Sequence, residues 1–111
     1  MKVIASIEPN LAEFKALCKS YNVKNLYAFG SSITDKFDEN SSDIDLLIEI
    51  EENDPLERGD KLLAIWDKLE DFFQRKVDLL TPSSLRNPVL KKNIDTTKVL
   101  IYEGESQEVP L

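Results

Sequence analysis

The sequence predicts a mixed α/β (α+β) domain, with a small mixed sheet of about four strands and helices packed mainly on one face. Three observations carry that expectation. Apolar residues recur at three- and four-residue spacing in two stretches. Short runs rich in aliphatic and aromatic residues lie between those stretches, the clearest being DIDLLIEI. Turn-forming residues separate the two kinds of run, so strands and helices interleave in a single layer arrangement.

Taken in order, residues 8–21 read as an amphipathic helix, because Leu11, Phe14, Leu17, Cys18 and Tyr21 share one stripe, with Asn22 as its stop. Residues 25–29 (NLYAF) form a strand that ends at Gly30. Residues 31–42 are polar and turn-prone, with Ile33 and Phe37 able to anchor one helical turn. Residues 43–50 form the second strand, with Ile44, Leu46, Ile48 and Ile50 on one face and Asp43, Asp45, Leu47 and Glu49 on the other. Asp54 can cap the next helix, Pro55 suits its first position, and Glu57 completes a capping-box-like pattern. That helix runs to about Phe73 and turns Leu62, Leu63, Trp66, Leu69, Phe72 and Phe73 toward the core. Residues 76–80 (KVDLL) make a third strand. A helix opens at Thr81-Pro82 and is interrupted or restarted near Asn87-Pro88, since proline cannot continue a helical ladder. Residues 98–102 (KVLIY) close the sheet, and residues 103–111 read as a loose acidic tail.

The chain has 111 residues, which suits one domain over residues 1–111. Its 41% hydrophobic content supports a real core. No apolar run reaches the roughly 20 residues of a membrane span. A single cysteine, Cys18, forms no internal disulfide, and with no signal peptide in view the expected compartment is the cytoplasm. Asp and Glu number 21 against 14 Lys and Arg, a net charge of -7. Such a surface repels phosphate backbones and makes a nucleic-acid partner unexpected, but it is compatible with a nucleotide bound through divalent cations. The absence of histidine excludes a Ser-His-Asp hydrolase and a His-ligated zinc site. No P-loop run is present. Asp38, Asn40, Ser42 and Glu49 superficially resemble a calcium loop, but the sixth position is Asp43 instead of glycine and a strand follows.

Three features carry chemistry. Gly30-Ser31 ends a strand, where glycine permits close backbone approach and the next residues can offer N–H groups and a hydroxyl to phosphate; it could equally be a plain turn. Asp43 and Asp45 lie at i and i+2 of a strand, so their carboxylates share a face and repel unless a cation lies between them; the bland alternative is two solvated acids at a strand start. Asp78 sits among aliphatic residues of a short strand, an unusual place for aspartate, and joins the pair if its strand lies beside residues 43–50; otherwise it is an edge acid facing water. Asp71, on the long helix, serves as a comparison and is expected to be plain surface. The aromatics Tyr21, Trp66, Phe72 and Phe73 fall at core spacing and read as packing.

Together, FGSSITDKFDENSSDIDLLIEI and the strand-borne aspartate resemble the DNA polymerase beta-like nucleotidyltransferase superfamily, and its minimal nucleotidyltransferase family in particular, over about residues 25–80. The resemblance implies a nucleotidyltransferase fold. It implies catalysis and metal binding by Asp43, Asp45 and Asp78, nucleotide binding by Gly30, Ser31, Ser32 and Ser42, Mg²⁺ or Mn²⁺ as the cofactor and ATP as the substrate. It further implies AMP transfer to a hydroxyl of a small helical HEPN-type partner protein, as in toxin–antitoxin pairs. The alternative is a fold-retaining binding module or antitoxin that covers its partner; transfer to a small molecule usually needs an added helical domain. Many members carry arginine just after the glycine-serine, whereas here Ser32, Ile33, Thr34 and Asp35 precede the first cation, Lys36. Arg86 and Lys91 are further candidates to compensate.

Overall fold

A computed structural model describes residues 2–33, 43–105 and 109 of the chain, with the side chains of Lys2 and Ser31 outside that description. Helices α1 (Lys2–Ile7) and α2 (Leu11–Ser20) are followed by β1 (Val23–Phe29), β2 (Ile44–Ile50), α3 (Pro55–Phe73), β3 (Val77–Leu80), α4 (Pro88–Thr97) and β4 (Val99–Glu103). Single 3₁₀ turns occupy Glu8–Asn10, Gly30–Ile33 and Pro82–Ser84. The four strands form one mixed sheet in the order β3-β2-β1-β4, in which only the β2–β3 pair is parallel.

The N-terminal region differs from the single helix expected over residues 8–21. Pro9 lacks an N–H and clashes with the preceding turn, so the chain makes a 3₁₀ turn there and splits into α1 and α2. The α1 stretch offers too few residues for a periodicity to register, yet its Val3 and Ile7 are fully buried. From α2, Phe14 and Cys18 enter the core. Asn22 stops the helix in the left-handed conformation (φ 57°), which asparagine tolerates better than most residues.

On β2 the expected alternation holds for Ile44, Leu46 and Ile48, all fully buried on the core face. Leu47, on the opposite face, is also buried; it and Ile94 of α4 stand outside the main cluster. Asp54 caps α3 by accepting the Leu56 N–H at 3.0 Å. Its own N–H donates to Glu52 Oε2 at 3.3 Å, so Glu52 takes the place expected of Glu57. Along α3 the buried residues are Ile65, Leu69 and Phe73, flanked by half-buried Leu62, Trp66 and Phe72. Leu63 was expected in the core but is 66% exposed: at about 100° per residue it falls outside the stripe that Leu62, Ile65 and Leu69 define. The rings of Phe14, Phe72 and Phe73 meet at tilted and edge angles, with centroids 5.1–6.3 Å apart, which makes these aromatics packing as anticipated.

In place of a helix opening at Thr81, the chain makes the turn Pro82–Ser84 and then α4, capped by Asn87 Oδ1 accepting from the N–H groups of Val89 and Leu90. Of the loose tail expected over residues 103–111, residues 103–105 and 109 are among those described. Glu103 belongs to β4, the Gly104 N–H donates to Lys24 O at 2.7 Å, and Val109 packs on the core.

Candidate active site

The end of β1 and the beginnings of β2 and β3 meet at one end of the sheet. Phe29 of β1 lies opposite Asp45 of β2, and Asp45 lies opposite Asp78 of β3. Pairing at the same register puts the Asp45 and Asp78 side chains on one face of the sheet. Asp43 immediately precedes β2, and the Ile44 N–H donates to Lys76 O at 3.1 Å, fixing the two strand starts against each other.

The start of β3 is held from the helix side as well. Trp66 Nε1 donates to Val77 O at 2.7 Å, and the Val77 N–H donates to Glu70 Oε2 at 2.9 Å. Both main-chain groups of the residue before Asp78 are therefore anchored on α3. These supports carry no motif signature, because a helical Trp and Glu four residues apart read as core and surface respectively.

Gly30 opens a 3₁₀ turn with φ +62°, a conformation that disfavours any side chain. A Cβ there would also lie 2.6 Å from Asp45 Oδ2. The Gly30 backbone thus lies close against the Asp45 carboxylate, whereas the approach expected from the sequence was to phosphate. Ser32, two residues on, has no exposed surface, and its Oγ accepts the Asp45 N–H at 2.8 Å. Its expected contact with nucleotide finds no open surface in this conformation. The Ser31 side chain, Ser42 and Lys36 lie outside the described residues. Arg86 and Lys91 are exposed, on the approach to and within α4, and Asp71 is plain surface as expected.

The electrostatics centre on Asp45. Partial burial pushes its carboxyl above the usual carboxylate range, and the charges of Asp78 and Asp43 push it further in the same direction. Asp43 has a loose ion pair with Lys76, at 3.8 Å between well-exposed groups, which screening by water makes weak. Such mutual repulsion is what a cation would relieve. Among the described residues no three acidic, imidazole or thiol groups form a ready-made metal cage. Mg²⁺ does not require one: it usually takes one or two carboxylates and completes its shell with substrate phosphates and water. The cross-strand pair Asp45 and Asp78, with Asp43 just before β2, offers carboxylate oxygens of the kind such an ion takes.

A separate cleft of about 820 Å³ lies at the far end of the sheet, against Asn22, Asn25, Tyr102 and Glu103. It shares no residue with the carboxylate end.

Comparison with known proteins bears on this geometry. The family described as nucleotidyltransferase domain matches residues 11–101. A candidate protein adenylyltransferase of Methanocaldococcus jannaschii is 36% identical over 102 residues, covering 91% of this chain and 100% of that protein. A second from the same organism is 38% identical over 104 residues, covering 92% and 99%. Among solved structures, a candidate minimal nucleotidyltransferase superposes with TM-score 0.56 at 24% identity, over 84% of this chain and 93% of that one. A toxin–antitoxin complex with AMP-PNP contains a chain of the same fold, with TM-score 0.59 at 20% identity, over 88% of this chain and 77% of that one.

Proposed function

Because the chain belongs to the nucleotidyltransferase domain family, we propose that it is a metal-dependent adenylyltransferase that moves AMP from ATP to a hydroxyl of a partner protein. The observation that carries this reading is the alignment of Asp45 with Asp78 across β2 and β3, with Asp43 alongside and the Gly30 backbone pressed against the same carboxylate. The relatives named as candidate protein adenylyltransferases, matched over nearly their whole length, support the adenylyl group and the protein acceptor. The toxin–antitoxin complexes of the same fold, one of them with AMP-PNP, support a partner protein and a nucleotide substrate. A small helical HEPN-type partner and a cytoplasmic site of action belong to the same proposal and follow from the motif resemblance.

In the reaction, the acceptor hydroxyl oxygen bonds to the α-phosphorus while the bond from that phosphorus to the bridging oxygen of the β-phosphate breaks. Pyrophosphate departs with the electron pair, and the hydroxyl proton passes to the Asp78 carboxylate. Asp43, Asp45 and Asp78 would hold Mg²⁺ or Mn²⁺, whose contribution is to polarise the reacting phosphate and offset charge on the leaving group. The turn at Gly30-Ser31 holds the β- and γ-phosphates, its glycine keeping the backbone close to the carboxylates. The acceptor hydroxyl comes from the partner protein.

A second reading is favoured by one feature, the lack of any cation between Ser31 and Lys36. On that reading the domain is a fold-retaining antitoxin that covers its partner without transferring AMP. Calorimetric ATP binding with and without Mg²⁺, on wild type and on Asp43→Asn/Asp45→Asn, separates the two. Metal-dependent binding that the double variant loses supports transfer; a folded wild type that binds no ATP favours the antitoxin reading.

A further inference from the structure

Ser32 stands out from the other hydroxyls near the site, because it is the one buried polar side chain among the described residues. β1 ends at Phe29, opposite Asp45, and the chain then turns away through Gly30–Ile33. Ser32 Oγ supplies an acceptor for the Asp45 N–H at the last residue pair of the β1–β2 ladder, just where β1 ends. Asp45 is thereby gripped at two points by one short turn: its N–H by Ser32 Oγ and its carboxylate by the surface of Gly30.

We propose that Ser32 is a positioning residue, which latches the nucleotide-binding turn to the backbone of Asp45 and so sets the affinity of the carboxylates for the divalent cation. The inference rests on the metal-dependent reading above. The Asp45 side chain springs from the same residue whose N–H is latched, so a small displacement of that N–H re-aims the carboxylate. The serine also follows Ser31 directly, so tension on the turn from bound phosphates reaches Asp45 through a single hydrogen bond. Outer-shell partners of metal ligands commonly change metal affinity by about 10- to 100-fold when removed.

The experiment is calorimetric binding of AMP-PNP over a series of Mn²⁺ concentrations, on wild type, Ser32→Ala and Ser32→Cys, with thermal unfolding of each. The alanine variant should need about tenfold more Mn²⁺ for half-saturation with AMP-PNP. The cysteine variant should fall between, because a thiol is a weaker acceptor of similar shape; it carries the comparison alone if the alanine variant does not fold. A melting temperature that falls while the Mn²⁺ dependence stays that of wild type overturns the inference and leaves Ser32 a structural residue only. Wild type that binds AMP-PNP without any Mn²⁺ dependence overturns the metal-dependent reading itself, and the inference with it.

Discussion

The Asp45 carboxylate rests against Gly30 so closely that a Cβ on the glycine would lie 2.6 Å from Oδ2. The glycine is therefore required twice over, by its left-handed backbone and by the group above it. The turn that the sequence marks for phosphate and the strand that it marks for carboxylates meet at this contact.

Gly30→Ala should accordingly cost stability and function together. The positive φ alone carries a strain of roughly 1 kcal/mol or more, and the new methyl group displaces Asp45. Urea denaturation should show a loss of about 1–3 kcal/mol. Metal-dependent ATP binding should fall further than that loss explains, because the displaced group is a proposed ligand. A variant as stable as wild type, with intact binding, would show that the turn relaxes at no cost.

Asp45 also gives a signed pH effect. Its carboxyl titrates above the usual range in the folded protein, through burial first and then the charges of Asp78 and Asp43. The fold thus holds that proton more tightly than the unfolded chain does. The contribution favours folding at pH below the ordinary carboxylate pKa and is lost as pH rises through the raised value. Asp45→Asn should remove this dependence, and at neutral pH and low salt it should be modestly more stable than wild type. Solvent screening keeps the gain to about 0.5 kcal/mol. Melting curves from pH 4 to 8 on both proteins check it, and a wild type that outlasts the variant at neutral pH contradicts it.

Much of this was legible in the residues, and the reasons are local. DIDLLIEI has period-two alternation broken only at Leu47, and Asp54-Pro55 is a helix start whose cap and first position agree. Asp78 declared itself by being an acid in an aliphatic strand. What the sequence concealed depends on tertiary position. The burial of Ser32 follows from the turn folding under β2, and the anchoring of Val77 by Trp66 and Glu70 follows from α3 lying over β3. Helix α1 was hidden because Pro9 cuts the N-terminal pattern to a length at which periodicity carries no signal. Leu63 misled because a leucine beside Leu62 looks like core until the helix phase is fixed by Ile65 and Leu69.

That phase can be tested by a pair of truncations on α3. Ile65 is fully buried and Leu63 is 66% exposed. Ile65→Ala should destabilise by about 2–5 kcal/mol through lost burial and the cavity left behind. Leu63→Ala should stay within about 0.5 kcal/mol of wild type. Equal effects in chemical denaturation would mean that the exposed leucine is covered in solution.

Cys18 should be inert while the protein is folded. It is fully buried on α2, and burial pushes its thiol up to about 12. Reaction requires thiolate and access, and the fold denies both. A thiol-specific chromogenic reagent at pH 8 should label the native protein only as fast as it opens, and the urea-unfolded protein promptly. Fast native labelling would place the thiol at the surface.

Trp66 offers the last test, because its indole reaches from the helix layer to the strand that carries Asp78. Trp66→Phe keeps most of the apolar bulk and removes the bond from Nε1 to Val77 O at 2.7 Å. A single such bond contributes about 1 kcal/mol, and the carbonyl left behind is only part-buried, so unfolding should be easier by about that amount. Glu70 still holds the Val77 N–H, so β3 should remain paired with β2. The sensitive readout is therefore functional. If α3 positions Asp78 through Val77, Trp66→Phe should weaken Mn²⁺-dependent AMP-PNP binding severalfold, whereas Leu63→Ala should leave it unchanged. Weakening by both would point to α3 as a whole, and weakening by neither would mean that pairing with β2 alone places Asp78.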